Sequence, residues 1–302
     1  MTPDTKFVFF GTPEFAAIIL ERLIGAGFSP VAVVCNPDKP VGRKKIVTPP
    51  PVKRLMANGK LQIEILQPAS TSELLALSHK LSAIKPDFAI VAAYAKIIPK
   101  NIIDLFPRGV IGVHPSLLPK YRGATPIQSA ILGGETETGT TLFMLDEKMD
   151  RGGVVSSVGC QVSSEETYEV LLKKLAELSG NLLTKTLPKF IVGEIRPQPQ
   201  DEMLATYTKK FSTDDAFVAP EMLDAALLGD APSANEINRK IRALNPEPGV
   251  WTFYPDDGLH ENCLEMLKNK RVKLLDSAVE DGKLTLKKIQ YEGKKAQVLK
   301  VF

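Results

Sequence analysis

The chain has 302 residues, 44% apolar, 24% charged and 7% aromatic, with a formal net charge of +3. At about 100–200 residues per domain this is two domains, each large enough to bury a core; collagen, coiled coil, low-complexity disorder and a disulfide miniprotein are excluded. No apolar run approaches the ~20 residues of a membrane span, the opening Met1–Lys6 lacks a signal-peptide pattern, and Cys35, Cys160 and Cys263 form no C-x-x-C, so the chain reads as cytoplasmic.

Phe7–Phe10 is a short apolar run closed by Gly11-Thr12-Pro13, after which Phe15, Ile18, Ile19 and Leu23 share a helical face as far as Gly25 and Gly27. Val31–Val34 reads as the next strand, followed by a helix near 51–58, a strand over Gln62–Leu66 and a helix over Glu73–Ile84. Phe88–Ala93 and Val110–Val113 are further uninterrupted apolar runs. Strands apolar on both faces suit a parallel sheet covered by helices, and their alternation with helices predicts an open, doubly wound, Rossmann-like α/β domain. Thr140–Leu145 and Gly153–Val162 read as two more strands, and Ser164 as the cap of an amphipathic helix over Glu165–Leu187. The polar stretch Gly193–Gln200, with two prolines, reads as a linker. The division is therefore a first domain over 1–190, a linker over 191–205 and a second domain over 206–302. There a helix carrying Asn235, Ile237, Ile241 and Leu244 precedes Asn245–Gly249. Short strands over Val272–Leu275, Lys283–Ile289 and Ala296–Phe302 make the second domain smaller and mainly β, an OB-like barrel.

Ligands of open α/β sheets bind beyond the carboxyl ends of the strands. Two loops stand there: His114–Gly123, after the strand ending at Val113, and Asp146–Gly153, between two later strands. An acidic side chain near a strand-end imidazole sets its charge and tautomer. His114 is the one histidine on such a loop, since His79 falls in a helix and His260 in a polar turn. The first glycine loop, Gly11-Thr12-Pro13-Glu14, lacks G-x-G-x-x-G and places an acid at the helix start, so a dinucleotide is disfavoured. No Walker A sequence, serine elbow or metal-ligand cluster appears. Ten lysines and arginines face four acids from Lys268 to Phe302.

Gly11–Phe15, Asn36-Pro37-Asp38-Lys39-Pro40-Val41-Gly42-Arg43, Ser116-Leu117-Leu118-Pro119 and Tyr121–Gln128 together resemble the methionyl-tRNA formyltransferases, within the formyltetrahydrofolate-dependent transferases. Glu137-Thr138-Gly139, Asp150-Arg151-Gly152 and Arg242–Pro246 extend the resemblance over most of the chain. It implies transfer of the formyl group of 10-formyltetrahydrofolate, a co-substrate, to the α-amino group of methionyl initiator tRNA, by a monomer without metal. An α-amino group has a pKa near 8, so it attacks the formyl carbon directly. The enzyme need only stabilise an oxyanion and move a proton between nitrogens. The resemblance gives His114 that donor or proton-transfer role, and has Asp150 set its protonation state. It assigns Ser116, Leu117, Leu118 and Pro119 to the folate site, and the basic loop with Arg43, Lys44 and Lys45 to tRNA phosphates. The basic second domain becomes a further tRNA contact.

Two departures bear on this reading. The family has Asn-Val-His where this chain has Gly112-Val113-His114. Loss of an oxyanion donor costs on the order of 10²–10³ in rate, unless a water or a neighbour such as Gln128 fills the space at Gly112. Glu247 replaces a tryptophan usual between the two prolines, and the single Trp251 reads as core. The alternatives are formyl transfer to another amine, an amino-sugar nucleotide or glycinamide ribonucleotide, and a catalytically silent tRNA- or folate-binding chain.

Overall fold

The computed structural model describes residues 5–42, 44–59, 63–255 and 269–299. Arg43, His260, Cys263, Lys268 and Lys300 lie outside the described residues.

In chain order, β1 (Phe7–Gly11) leads to α1 (Glu14–Gly25) and β2 (Ala32–Val34). A small antiparallel hairpin follows, β3 (Lys39–Val41) and β4 (Ile46–Thr48), then α2 (Pro51–Asn58) and β5 (Glu64–Leu66). Next come α3 (Thr71–Ala76), α4 (Ser78–Ile84), β6 (Phe88–Ala92), α5 (Lys100–Ile103), β7 (Val110–His114) and α6 (Pro126–Leu132). β8 (Glu137–Met144), β9 (Val154–Gln161) and the long α7 (Tyr168–Ile191) complete this part. Beyond it lie α8 (Pro220–Leu228), α9 (Ala231–Leu244), β10 (Trp251–Pro255), β11 (Asn269–Glu280), β12 (Lys283–Tyr291) and β13 (Gln297–Val298).

The described chain falls into two units, one of Met1–Pro126, Glu137–Cys160 and Leu172–Tyr207, the other of Ile127–Thr136, Gln161–Leu171 and Thr208–Phe302. A seven-stranded sheet of order β5-β2-β1-β6-β7-β8-β9 is built around the first. β5, β2, β1, β6 and β7 run parallel, and β8 pairs antiparallel with β7. The chain winds outward from β1 through β2 to β5, then returns to β6 on the other side of β1, the doubly wound pattern read from the sequence. β1 and β7 are buried at every position, because helices cover both faces. Phe7 and Phe88, paired in register, stack with ring centroids 5.3 Å apart and planes 11° apart, and neither reaches solvent.

In the second unit β10-β11-β12-β13 form an antiparallel sheet. Its apolar face carries Leu274, Leu284, Leu286 and Ile289, and α8 and α9 bring Leu223, Ala226, Ile237 and Ile241. Asn238 Nδ2 donates to Ser277 Oγ at 3.1 Å, and its Oδ1 accepts from Arg242 Nε at 2.8 Å. The sheet carries two helices as well as strands, and among the described residues no pairing joins β13 to β10 to close it into a barrel.

Local corrections have local causes. The helix expected over Glu73–Ile84 is two, broken at Leu77, and it starts earlier. Ser70 Oγ accepts from Glu73 N at 3.2 Å while Glu73 Oε2 accepts from Ala69 N at 2.8 Å, a capping box that sets the start at Thr71. Ser164 does not cap α7. Ser163 N donates to Glu166 Oε2 at 3.0 Å in a preceding turn, and Thr167 Oγ1 accepts from Val170 N at 3.5 Å instead. Residues after α7 are bonded to the first unit: Gln198 exchanges backbone hydrogen bonds with Val154, at 2.7 and 2.8 Å. No helix among the described residues is long and apolar enough to cross a membrane.

Phe88→Ala removes one ring of the Phe7 stack from a site that cannot collapse, since both neighbouring strands are in the sheet. The expected loss is about 3–5 kcal/mol of stability, measured by urea unfolding followed in far-UV circular dichroism.

Candidate active site

His114 is the last residue of β7, at the carboxyl edge of the parallel strands beside Ala92 of β6 and Gly11 of β1. Its ring is buried and meets Phe143 edge to face, with centroids 6.5 Å apart. Nε2 lies 2.8 Å from the Tyr121 carbonyl oxygen, which can only accept. The Nε2 position therefore carries the proton, and the neutral ring turns the lone pair of Nδ1 toward Asp150, whose Oδ2 is 3.7 Å away. That separation is too long for a direct hydrogen bond.

Asp150 reaches this position on a tightly bent loop. Its own φ is +53°, a left-handed conformation that Asp tolerates better than most residues. Two residues on, a Cβ at Gly152 would stand 1.6 Å from the Met144 carbonyl oxygen, so the turn back to β9 admits glycine alone. Asp150 Oδ2 also accepts from Gly123 N at 2.8 Å, which ties its carboxylate to the loop after β7.

That loop is held from inside. Ser116 is fully buried, and its hydroxyl donates to the Lys120 carbonyl at 2.6 Å, so it shapes the turn. Thr141 Oγ1 of β8 donates to the Ser116 carbonyl at 2.7 Å and accepts from Leu118 N at 3.1 Å. Leu117, Leu118 and Pro119 are half-buried, offering apolar surface next to His114.

The space at Gly112 is filled. Gly112 pairs with Phe143 across β7 and β8, and a Cβ at 112 would lie 2.5 Å from Phe143 Cε1 and Cζ. The Phe143 ring takes that place, and Gln128 hydrogen-bonds Tyr168 within the second unit. A large residue on one strand is matched by the smallest on its neighbour.

Arg122, in the Tyr121–Gln128 motif, has a side chain that is 0% exposed. All five of its N–H donors have acceptors: Nε and one terminal nitrogen reach Gln200 Oε1 at 3.1 and 2.8 Å, and the terminal nitrogens reach Glu202 Oε1 and Oε2 at 3.0 Å and Tyr207 hydroxyl at 3.1 Å. Arg151, next to Asp150, also pairs with Glu202 at 3.0 Å. The Arg122 guanidinium, and then Arg151, hold the Glu202 carboxyl below its ordinary range. A carboxyl held low stabilises the fold above that range, and the contribution is lost as pH falls through its lower folded value; the network therefore weakens in acid. Gln200, Glu202 and Tyr207 gave no signal in the sequence except their polarity.

Away from His114, the β3–β4 hairpin exposes Lys44 and Lys45 at its tip along with Val41, Ile46 and Val47. Its base is fixed by Asp38, which pairs with Lys53 at 2.9 Å and accepts from Gln67 Nε2 at 2.9 Å. Gln67 first, and Lys53 next, keep the Asp38 carboxyl low. In the second unit Trp251 is half-buried, 4.7 Å from Phe217 and 5.2 Å from Phe253, with the Arg271 guanidinium 4.2 Å from its ring. Cys35 is fully buried, and desolvation pushes its thiol up to about 11, so it is no nucleophile at neutral pH. Among the described residues no three His, Cys, Asp or Glu side chains converge on a metal position.

Residues 5–187 match the Formyl transferase family, and residues 231–301 match its C-terminal domain. A methionyl-tRNA formyltransferase of Kosmotoga olearia is 36% identical over 96% of this chain and 93% of its own length. One of Bacillus subtilis is 39% identical over 82% of this chain and 74% of its own. Among solved structures, a methionyl-tRNA formyltransferase from Clostridium thermocellum superposes with a TM-score of 0.56 at 16% identity, covering 98% of this chain and all of that one, a likeness of fold.

Gly112→Asn alone is expected to overpack the site by about 1–3 kcal/mol, seen as a lowered thermal midpoint. In a Phe143→Ala background, itself destabilised by the lost ring, Gly112→Asn should cost little further or nothing, because the ring it meets is gone. A Gly112→Asn protein as stable as the wild type would mean that Phe143 does not occupy that space.

Proposed function

The chain belongs to the methionyl-tRNA formyltransferase family, and on that premise we propose that it transfers the formyl group of 10-formyltetrahydrofolate to the α-amino group of methionyl initiator tRNA. The observation that carries the reading is the His114 imidazole at the sheet's carboxyl edge, with Nε2 committed to a carbonyl and Nδ1 turned toward a carboxylate. The bound folate supplies the activated formyl carbon. Half-buried Leu117, Leu118 and Pro119 offer an apolar wall of the kind a flat heterocycle needs, and Ser116 keeps that wall in shape. His114 Nδ1 takes the proton released by the attacking amine. Asp150 stabilises the imidazolium so formed, and the ring returns the proton to the leaving nitrogen, so protons balance within one turnover. His114 Nδ1–H, once formed, also donates toward negative charge on the formyl oxygen, a duty that the family shares with the Asn missing at Gly112.

The relatives' names favour methionyl-tRNA over a small amine as the acceptor, and the exposed basic hairpin supports the same choice. Lys44 and Lys45, with Arg43 in the same loop, would pair with phosphates, and the basic second unit would add contacts. Charged tRNA as substrate places the activity in the cytoplasm. Phe143 fills the volume beside Gly112 while His114 and Asp150 face each other, which supports an active rather than a silent site.

In a formylation assay with charged initiator tRNA, His114→Ala and Asp150→Ala should each lower kcat by about 10²–10⁴ with unchanged far-UV circular dichroism. Wild-type rates in both would sink the mechanism. The triple variant Arg43→Ala, Lys44→Ala, Lys45→Ala should raise KM for tRNA and reduce the slope of log affinity against log salt by about 2–3. KM for the folate should not move; an equal rise in both would give the hairpin another role.

A further inference from the structure

We propose that Gln200 is a positioning residue for formyl transfer: its amide reads the backbone of the Asp150 loop on one side and the buried Arg122 guanidinium on the other, and so fixes the carboxylate opposite His114. The inference rests on the formyl-transfer reading above.

The amide is used completely. Nε2 donates to the carbonyl oxygens of Asp150 and Gly152, both at 2.8 Å, while Oε1 accepts twice from Arg122. These neighbours also settle its orientation: the reverse would set N–H groups against a guanidinium and an oxygen against two carbonyls. The contacts fall on the part of the chain where the backbone is most constrained. Asp150 sits at φ +53° and Gly152 passes the Met144 carbonyl without room for a side chain, so two carbonyls of this turn point out of any strand or helix and need donors. Gln200 provides both from one rigid plane.

The other end of the lever is equally fixed. Arg122 lies in the loop that follows His114, with its N–H bonded to the Thr206 carbonyl at 2.9 Å. Tyr121, whose carbonyl takes the His114 Nε2 proton, is its neighbour and bonds Thr206 Oγ1 through its own N–H at 2.8 Å. Gln200 thus links the loop holding one face of the imidazole to the loop holding the acid at the other. The Nδ1 to Oδ2 separation of 3.7 Å is set by this link and by the Gly123 N–H.

Gln200→Glu separates the two functions of the amide. A carboxylate keeps both acceptor bonds to Arg122 and adds an ion pair, but has no donor for Asp150 or Gly152. The variant should stay folded, lose on the order of 10–100-fold in kcat, and change KM for charged tRNA by less than the kcat effect. In the Asp150→Asn background the same substitution should cause little further loss, because a residue that acts through Asp150 has nothing left to position. A folded Gln200→Glu with wild-type kcat would overturn the proposal, as would a full additional loss in the Asp150→Asn background. If Gln200→Glu does not fold, Gln200→Met, uncharged and of like length, carries the same expectations; failure of both to fold would assign Gln200 to the fold alone and overturn the proposal. Absence of turnover by the wild type would overturn the formyl-transfer reading itself, and the proposal with it.

Discussion

A guanidinium with no access to water must find an acceptor for each N–H, because an uncompensated buried charge destabilises by several kcal/mol. Arg122 meets that demand with Gln200, Glu202 and Tyr207, all from the segment after the long helix α7. One buried charge therefore draws a polar stretch of chain onto the carboxyl edge of the sheet. The consequences reach the site through short steps. Glu202 holds Arg151, Gln200 holds the carbonyls around Asp150, and Thr206 holds Tyr121, whose carbonyl orients His114. Lysine could supply the charge, but it lacks the planar fork that lets Nε and both terminal nitrogens bind separate partners.

The first unit was legible because its strands are buried on both faces. A run such as Phe7–Phe10 or Val110–Val113 has no other economical arrangement, and the order of runs and helices then leaves few topologies. The β3–β4 hairpin was read as a plain loop for the converse reason: its strands are three residues long and largely exposed, so pairing leaves no apolar alternation. The start of α7 was misplaced because Ser163, Ser164 and Thr167 are all able to cap, and only the turn closed by Glu166 decides between them. Polar side chains bonded to a buried guanidinium look, in one dimension, like a solvated linker. That is why Gln200 and Glu202 carry no signal in the sequence while His114, at a strand end, and Asp150, in a loop between two strands, do.

Gly112 shows a different limit. Read along the strand it is a lost side chain, and the expected consequence is a missing donor. Read across the sheet it is half of a packing pair, with Phe143 in the volume that a larger residue would take. Interiors pack to near-crystalline density, so a deletion on one strand is accommodated by its neighbour. The ring that fills the space also meets His114 edge-on. Apolar surroundings then stand on that side of the imidazole, and the polar groups that face the ring are the Tyr121 carbonyl and the Asp150 carboxylate.

On the proposed mechanism, the length of the His114–Asp150 contact suits the task. A direct hydrogen bond from Nδ1 would occupy the one nitrogen free to exchange a proton, since Nε2 is held by the Tyr121 carbonyl. At 3.7 Å the carboxylate faces Nδ1 without bonding it, which leaves Nδ1 available to a third atom. Both sides are fixed from behind. The Tyr121 carbonyl does this for the ring, and the Gly123 N–H with the Gln200 amide does it for the acid. The proposed proton transfer between two nitrogens calls for an imidazole held near a carboxylate without bonding it, and here that spacing is built from backbone groups, the Gln200 amide and one buried arginine.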